Sequence, residues 1–175
     1  LLLKAIEYVV DNEKAKSIYF EGNINSYTYA DNGTSLYDVL SLYNNRKHAI
    51  KDELIRSMNN LDDLEDYIEK TEDVQLGMMV EIVKEYETDI PRIITTIKEK
   101  HIDNDQKETA EMIFSTVHKC KGMEYDSVQL VNDFLTEEKL EKLIKETEKE
   151  ELNLSKLNEE INLLYVAATR AKSRI

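Results

Sequence analysis

From His48 to Lys100 the apolar residues recur at helical spacing, and this block constrains the fold more than any other feature of the chain. Leu76, Met79, Val80 and Val83 share one face, and Ile90, Ile93, Ile94 and Ile97 share another. Asp89 is placed to cap the last of these helices, and Pro91 is tolerated in its first turn, where the missing N–H has no helical acceptor. Only four Gly and one Pro occur in 175 residues, which argues against a turn-rich all-β fold and against long linkers. The flanks read differently. Leu2, Ala5, Ile6, Val9 and Val10 follow the i, i+3, i+4, i+7 rhythm of an amphipathic helix. Ser17–Glu21 is β-branched and aromatic, reads as a short strand, and is closed by Gly22. Tyr27, Tyr29 and the turn Asp31-Asn32-Gly33 form a loop or hairpin, after which Thr34 or Ser35 caps a helix through Tyr43. Glu111–Val117 and Ser127–Val131 read as buried strands. Thr136 to Glu151 is a charged helix with Leu140, Leu143 and Ile144 as its only apolar stripe. The final helix buries Leu157, Ile161, Leu164, Tyr165 and Ala168, and breaks near Lys172 into what reads as another strand. Strands separated by helices imply an α/β layer fold with the middle helices inserted.

Charge narrows the function classes. The formal charge is −13, whereas a protein that holds nucleic acid by its overall field is basic, because phosphate neutralisation supplies most non-specific affinity. Any nucleic-acid contact must therefore be local. Cys120 is the only cysteine, so no intramolecular disulfide can form and a reducing interior is the simpler expectation. The apolar runs are too short to span a bilayer, and no signal peptide opens the chain. A start at Leu1 and an end inside an apparently continuing segment suggest a piece of something larger.

Two motifs carry chemistry. The first, Phe114 to Tyr125, is a strand running into a polar turn punctuated by Gly122, and α/β sheets place ligand groups outside the carboxyl ends of their strands. Thr116 and His118 alternate along the expected strand end and so point to one side. A hydroxyl, an imidazole and backbone amides near Gly122 suit phosphate oxygens, and Glu124 suits a ribose hydroxyl. A plain solvated loop is the commoner reading of such a turn on composition alone. The second motif, Asn162 to Lys172, is an apolar helix ending in Thr169 and Arg170. The guanidinium is a planar, permanently charged fork matched to phosphate oxygens. An arginine answering the helix dipole is the equally available alternative.

Taken in this order, with a charged spacer, the pair resembles motifs V and VI of UvrD/Rep-like superfamily 1 DNA helicases. Within that group the resemblance is closest to the F-box DNA helicase branch, through TVHKCKGMEYDSVQLVNDF, the preceding helices TEDVQLGMMVEIVKEYETDIPRIITTIKEKHID and the terminal EEINLLYVAATRAK. Cys120, Met123 and Tyr125 depart from the family's usual small residue, Leu and Phe, with little change of volume. The resemblance implies a RecA-like second motor domain of the P-loop NTPase type, without the P-loop, in three parts. Residues 1–44 and 105–175 form the motor domain, and 45–104 form a mainly helical insertion.

The site follows from the same resemblance. Arg170 is implied as the catalytic arginine finger and, with Gly122 and Glu124, as nucleotide-binding. Thr116, His118 and Lys121 are implied to touch single-stranded DNA, and Tyr165 to pack between helix and sheet. ATP and Mg²⁺ are the implied cofactors, with no metal ligand in this chain. No G-x-x-x-x-G-K-[ST] phosphate loop occurs in it. The implied partners are single-stranded DNA and an N-terminal motor domain, with no membrane. The implied activity is ATP-driven movement on single-stranded DNA, 3′→5′, in repair or recombination, and the isolated fragment is expected to be inactive. The compartment would be cytoplasmic and nucleoid-associated in a bacterium, nuclear in a eukaryote. The alternative is a non-catalytic interaction or regulatory module built on a helicase half.

Overall fold

The computed structural model describes residues 1–28, 35–131, 134, 140–141 and 154–174. The expected turn at Asp31-Asn32-Gly33 and most of the expected helix from Thr136 to Glu151 lie outside them. The chain divides into two compact units, Leu1–Phe114 and Ser115–Ile175.

In the first unit, α1 (Leu2–Asp11) buries Leu2, Ala5, Ile6 and Val9 and leaves Val10 exposed. It leads into β1 (Ile18–Phe20), in which all three residues are buried. Gly22 then turns the chain at φ 100°, a conformation that favours glycine. Residues read as a loop or hairpin form in part a short helix, α2 (Ile24–Thr28). Ser35 caps α3 (Leu36–Tyr43), its Oγ accepting from Asp38 N at 3.1 Å. A 3-10 turn (Lys47–Ala49) precedes α4 (Glu53–Ser57), α5 (Leu61–Thr71) and α6 (Val74–Tyr86). Asp52, Asn60 and Asp73 cap these three helices from their side chains. Each such cap stabilises its helix by about 1 kcal/mol relative to alanine.

The helical faces read from the sequence are the buried ones. Leu76, Met79, Val80 and Val83 of α6 are buried with Ile82, and Ile90, Ile93, Ile94 and Ile97 of α7 (Ile90–Lys100) are all buried. Asp89 precedes α7 without a side-chain cap bond and pairs instead with Arg92, while Pro91 takes the first turn. α1 packs on α7, and α6 on both α3 and α5.

A second strand, β2 (Met112–Phe114), pairs in parallel with β1 in the register Ile18↔Met112, Tyr19↔Ile113, Phe20↔Phe114. Everything from α2 to α7 is thus the crossover between two parallel neighbours. Phe20 stacks on Phe114 at 5.1 Å between centroids and on Tyr27 at 5.6 Å, while Tyr8 meets Phe114 edge-on. The aromatic cluster closes the core at the carboxyl ends of the strands.

The second unit is smaller. β3 (Tyr125–Ser127) pairs in parallel with β4 (Ala171–Arg174), starting at Tyr125↔Ala171, with a register shift before Ser127↔Arg174. Between them in sequence lies α8 (Leu154–Ala168). The apolar run Ser127–Val131, expected as a strand, is strand only at Ser127, because the pairing partner of β4 is Tyr125–Ser127. On α8 the expected buried face is also corrected. Ile161 is 48% and Tyr165 67% exposed, and Ala167 is the buried residue at 4%. Leu163 to Ala168 is apolar on all sides, so its periodicity carries too little contrast to say which side turns inward. The fold is mixed helix and strand with small parallel sheets. No helix among the described residues is long and apolar enough to cross a membrane.

Candidate functional site

The first motif is a turn, not a strand end. β2 stops at Phe114, and Val117 to Gly122 curl back on themselves. The carbonyl of Thr116 accepts from both Lys119 N and Cys120 N at 3.1 Å, and Met123 N donates to the Cys120 carbonyl at 3.0 Å. Cys120 is 7% exposed, and its thiol donates to the Val117 carbonyl at 3.4 Å. A small, weakly polar side chain suits that position, since it fills the inside of the turn and returns a bond to it. Gly122 has φ +86°, and a Cβ there would meet nothing within 4 Å. Backbone conformation, rather than crowding from the chain itself, asks for glycine here.

Because the segment is a turn, strand alternation does not decide where Thr116 and His118 point. Both are exposed, as are Lys121 and Glu124. His118 and Lys121 line one open cleft of about 460 Å³ together with Val117, and α8 supplies the opposite wall through Asn158, Glu159, Asn162, Leu163 and Val166. Thr116, Gly122, Glu124 and Arg170 do not line it. Sequence reading passed over Asn158, Glu159 and Asn162. Their spacing was a usable signal, because residues four apart on a helix present side chains to one side.

Arg170 gathers at the other end of the turn. Its Nη1 donates to the Met123 carbonyl at 3.0 Å, its Nε to the Val166 carbonyl at 3.0 Å, and its Nη2 to Thr169 Oγ1 at 3.2 Å. Thr169 Oγ1 in turn donates to the Val166 carbonyl at 3.0 Å. The Val166 bond satisfies a carbonyl of the last helical turn, the role that a helix-end arginine plays anywhere. The Met123 bond is different in kind, since it ties the second motif to the first. The backbone repeats the tie, with Tyr125 N donating to the Arg170 carbonyl at 2.8 Å. A guanidinium has five N–H donors. Three are engaged, which leaves one on each terminal nitrogen for an anion.

The turn thus has two limbs with different surroundings. Its first limb offers an imidazole and an ammonium to a cleft. Its second limb holds the Arg170 guanidinium on the carbonyl of Met123, which lies between Gly122 and the exposed carboxylate of Glu124. An exposed carboxylate accepts well from a sugar hydroxyl, and a half-engaged guanidinium fits a phosphate oxygen. No three or more His, Cys, Asp or Glu side chains gather to hold a metal among the described residues.

The two motifs thus meet at their ends within a small unit of helix and parallel strands. The chain belongs to the UvrD-like helicase C-terminal domain family, whose model matches residues 4–175. Among curated relatives it is 32% identical over 109 residues to F-box DNA helicase 1 of Gallus gallus, covering 62% of this chain and 10% of the relative. It is 33% identical over 107 residues to F-box DNA helicase protein 1 of Schizosaccharomyces pombe, covering 59% of this chain and 11% of the relative. The chain therefore spans about a tenth of the length of these relatives. No solved structure matches it.

Proposed function

We propose that the chain forms part of an ATP-dependent DNA helicase or translocase and supplies its second motor half. Residues 1–44 and 105–175 form a RecA-like domain in this reading, and 45–104 are a helical insertion. The direct parallel pairing of β1 with β2, on either side of those helices, supports that division. The observation that carries the function is the Arg170 Nη1 to Met123 carbonyl bond, because it joins a phosphate-matched guanidinium to the turn that bears Glu124.

In this reading Glu124 accepts from the nucleotide ribose, Gly122 gives the turn its shape, and the two remaining N–H groups of Arg170 meet the terminal phosphate. ATP, when bound with Mg²⁺ held outside this chain, supplies the phosphoanhydride whose hydrolysis drives movement. Thr116, His118 and Lys121 contact the backbone of single-stranded DNA. One turn then bears both contacts, so a change at the Arg170 limb is felt at the His118 limb through about five residues of hydrogen-bonded backbone. The named activity of the two relatives supports a DNA substrate. The 3′→5′ direction and a place in repair or recombination rest on resemblance to the family.

The test is Arg170→Ala in the full-length protein. ATP turnover falls by about three to five decades, as for other arginine fingers, while single-stranded DNA binding stays within about twofold. DNA-stimulated ATPase that survives the substitution sinks the assignment. Absence of ATPase from the unaltered full-length protein would instead favour the second reading, a non-catalytic module, which has one observation of its own: three of the five Arg170 N–H groups are already satisfied within the chain.

A further inference from the structure

The 36 acidic residues are spread so that few stretches lack one. Three stand out: residues 39–51, 112–123 and 161–175, of thirteen, twelve and fifteen residues, where no other acid-free run exceeds nine. Together they hold eight of the 23 Lys and Arg and none of the 36 Asp and Glu. The second and third are the two motifs already described. The first belongs to neither.

Its cations sit on a firmly held turn. Asn45 takes a left-handed conformation at φ 55°, and Arg46 N donates to the Ser41 carbonyl at 2.8 Å. Asn44 Nδ2 donates to the Leu40 carbonyl at 2.9 Å. At the far end Ile50 is 1% exposed, and its carbonyl accepts from the Arg56 guanidinium. Asp38, 3% exposed, accepts from Lys51 N at 2.8 Å and from Asp52 N at 3.4 Å. A buried carboxylate thus pins the turn from below, and the side chains of Arg46, Lys47, His48 and Lys51 are left exposed. None of Arg46, Lys47 or Lys51 is in an ion pair among the described residues. Lys47 feels Asp63, but that carboxylate is already bonded to the backbone and side chain of Asn59, at 2.9 and 2.7 Å.

Exposed, unpaired cations on a firmly held turn mark the place where a strongly acidic protein repels a polyanion least. We infer that Arg46, Lys47 and Lys51 form a second nucleic-acid contact, which grips the phosphate backbone independently of base sequence. The inference rests on the nucleic-acid reading above and adds a site to it. An acidic protein is the competing partner. Protein interfaces anchor on buried aromatic or aliphatic side chains, and the exposed part of this turn offers only Ala49 as an apolar side chain beside its cations and the polar Asn45 and His48. Phosphate contacts need no such anchor.

The test is a salt titration of the full-length protein on a labelled duplex with a single-stranded 3′ tail. Each lost phosphate contact flattens the slope of log K against log salt by about 0.9 on duplex and about 0.7 on single strand. The variant Arg46→Gln, Lys47→Gln, Lys51→Gln is expected to flatten it by about 2 to 3, with about tenfold or greater loss of affinity near 150 mM salt. A charge-matched control, Lys14→Gln, Lys70→Gln, Lys98→Gln, alters other exposed lysines and is expected to leave the slope unchanged. An unchanged slope in the first variant, or equal flattening in both, overturns the site. So does selective loss of binding to poly-glutamate with DNA binding intact, which assigns the turn to an acidic protein. If the unaltered protein binds no DNA at all, the helicase reading itself has failed. Unchanged circular-dichroism melting in both variants excludes unfolding as the cause.

Discussion

Residues Leu1–Phe114 and Ser115–Ile175 are held together by different means. The first unit buries apolar side chains from six helices and both strands, with Phe20, Ile18, Met79 and Ile82 at 0% exposure. In the second, Cys120 and Ala167 are the only buried apolar residues among those described. What orders it is a set of hydrogen bonds to the carbonyls of Thr116, Val117, Met123 and Val166. The first unit is therefore a scaffold, and large side-chain truncations there act on stability. The second is a polar surface, on which single bonds decide geometry and substitutions act on function.

Arg170→Ala is the largest expected effect and falls on activity alone. Next in size is Phe20→Ala. Removing a fully buried phenyl ring that touches Phe114, Tyr27 and His101 costs about 3 to 5 kcal/mol. The urea midpoint drops accordingly. Tyr165→Ala removes a ring of similar size that is 67% exposed, and is expected to shift the midpoint by no more than about 0.5 kcal/mol. Equal losses from the two substitutions would break the contrast between the units.

A smaller effect sharpens it from the other side. Thr169 Oγ1 accepts from Arg170 Nη2 and donates to the Val166 carbonyl, so it positions the guanidinium without lining the cleft. Thr169→Val keeps the shape and loses the bond. A hydrogen bond to a charged group is worth about 1.5 kcal/mol, so kcat of the full-length ATPase falls by about tenfold. KM for ATP and the melting temperature stay unchanged, and Thr169→Ser restores the rate. A KM effect instead, or no rescue by serine, removes Thr169 from that role.

How much of this was legible follows the same division. α6 and α7 were readable because apolar residues recur in each at i, i+3, i+4 and i+7, and the start of α3 because two hydroxyls, Thr34 and Ser35, precede an apolar run, although only the structure singles out Ser35 as the cap. β3 was placed too late in the chain, since pairing with Ala171–Arg174 is a tertiary choice that leaves no mark on Ser127–Val131. In the site, residue types drew attention to Thr116, His118, Lys121, Gly122, Glu124 and Arg170. Their arrangement was hidden for two reasons. A turn replaced the expected strand end, and the seat of Arg170 is the Met123 carbonyl, a group that every residue has. The cleft wall on α8 was missed because Leu163–Ala168 directed attention to the apolar side of that helix.

The smallest expected effect is a dependence of stability on pH that originates in the scaffold. His101 stacks on Tyr19 at 5.4 Å, and its Nε2 is buried without a hydrogen-bond partner among the described residues. Desolvation lowers its pKa below the ordinary histidine value, against smaller opposing effects of Asp103 and of a backbone bond to Phe20. The folded state therefore prefers the neutral ring. Below the ordinary value near 6.5 the unfolded chain takes up a proton that the folded chain resists, so stability falls as pH drops through that value. The loss levels off once pH passes below the folded pKa. His101→Phe keeps the stacking face and removes the proton, so the urea midpoint of this variant should decline less than that of the parent between about pH 7 and 5. Identical pH profiles for the two proteins would show that the acid sensitivity of the first unit does not come from His101.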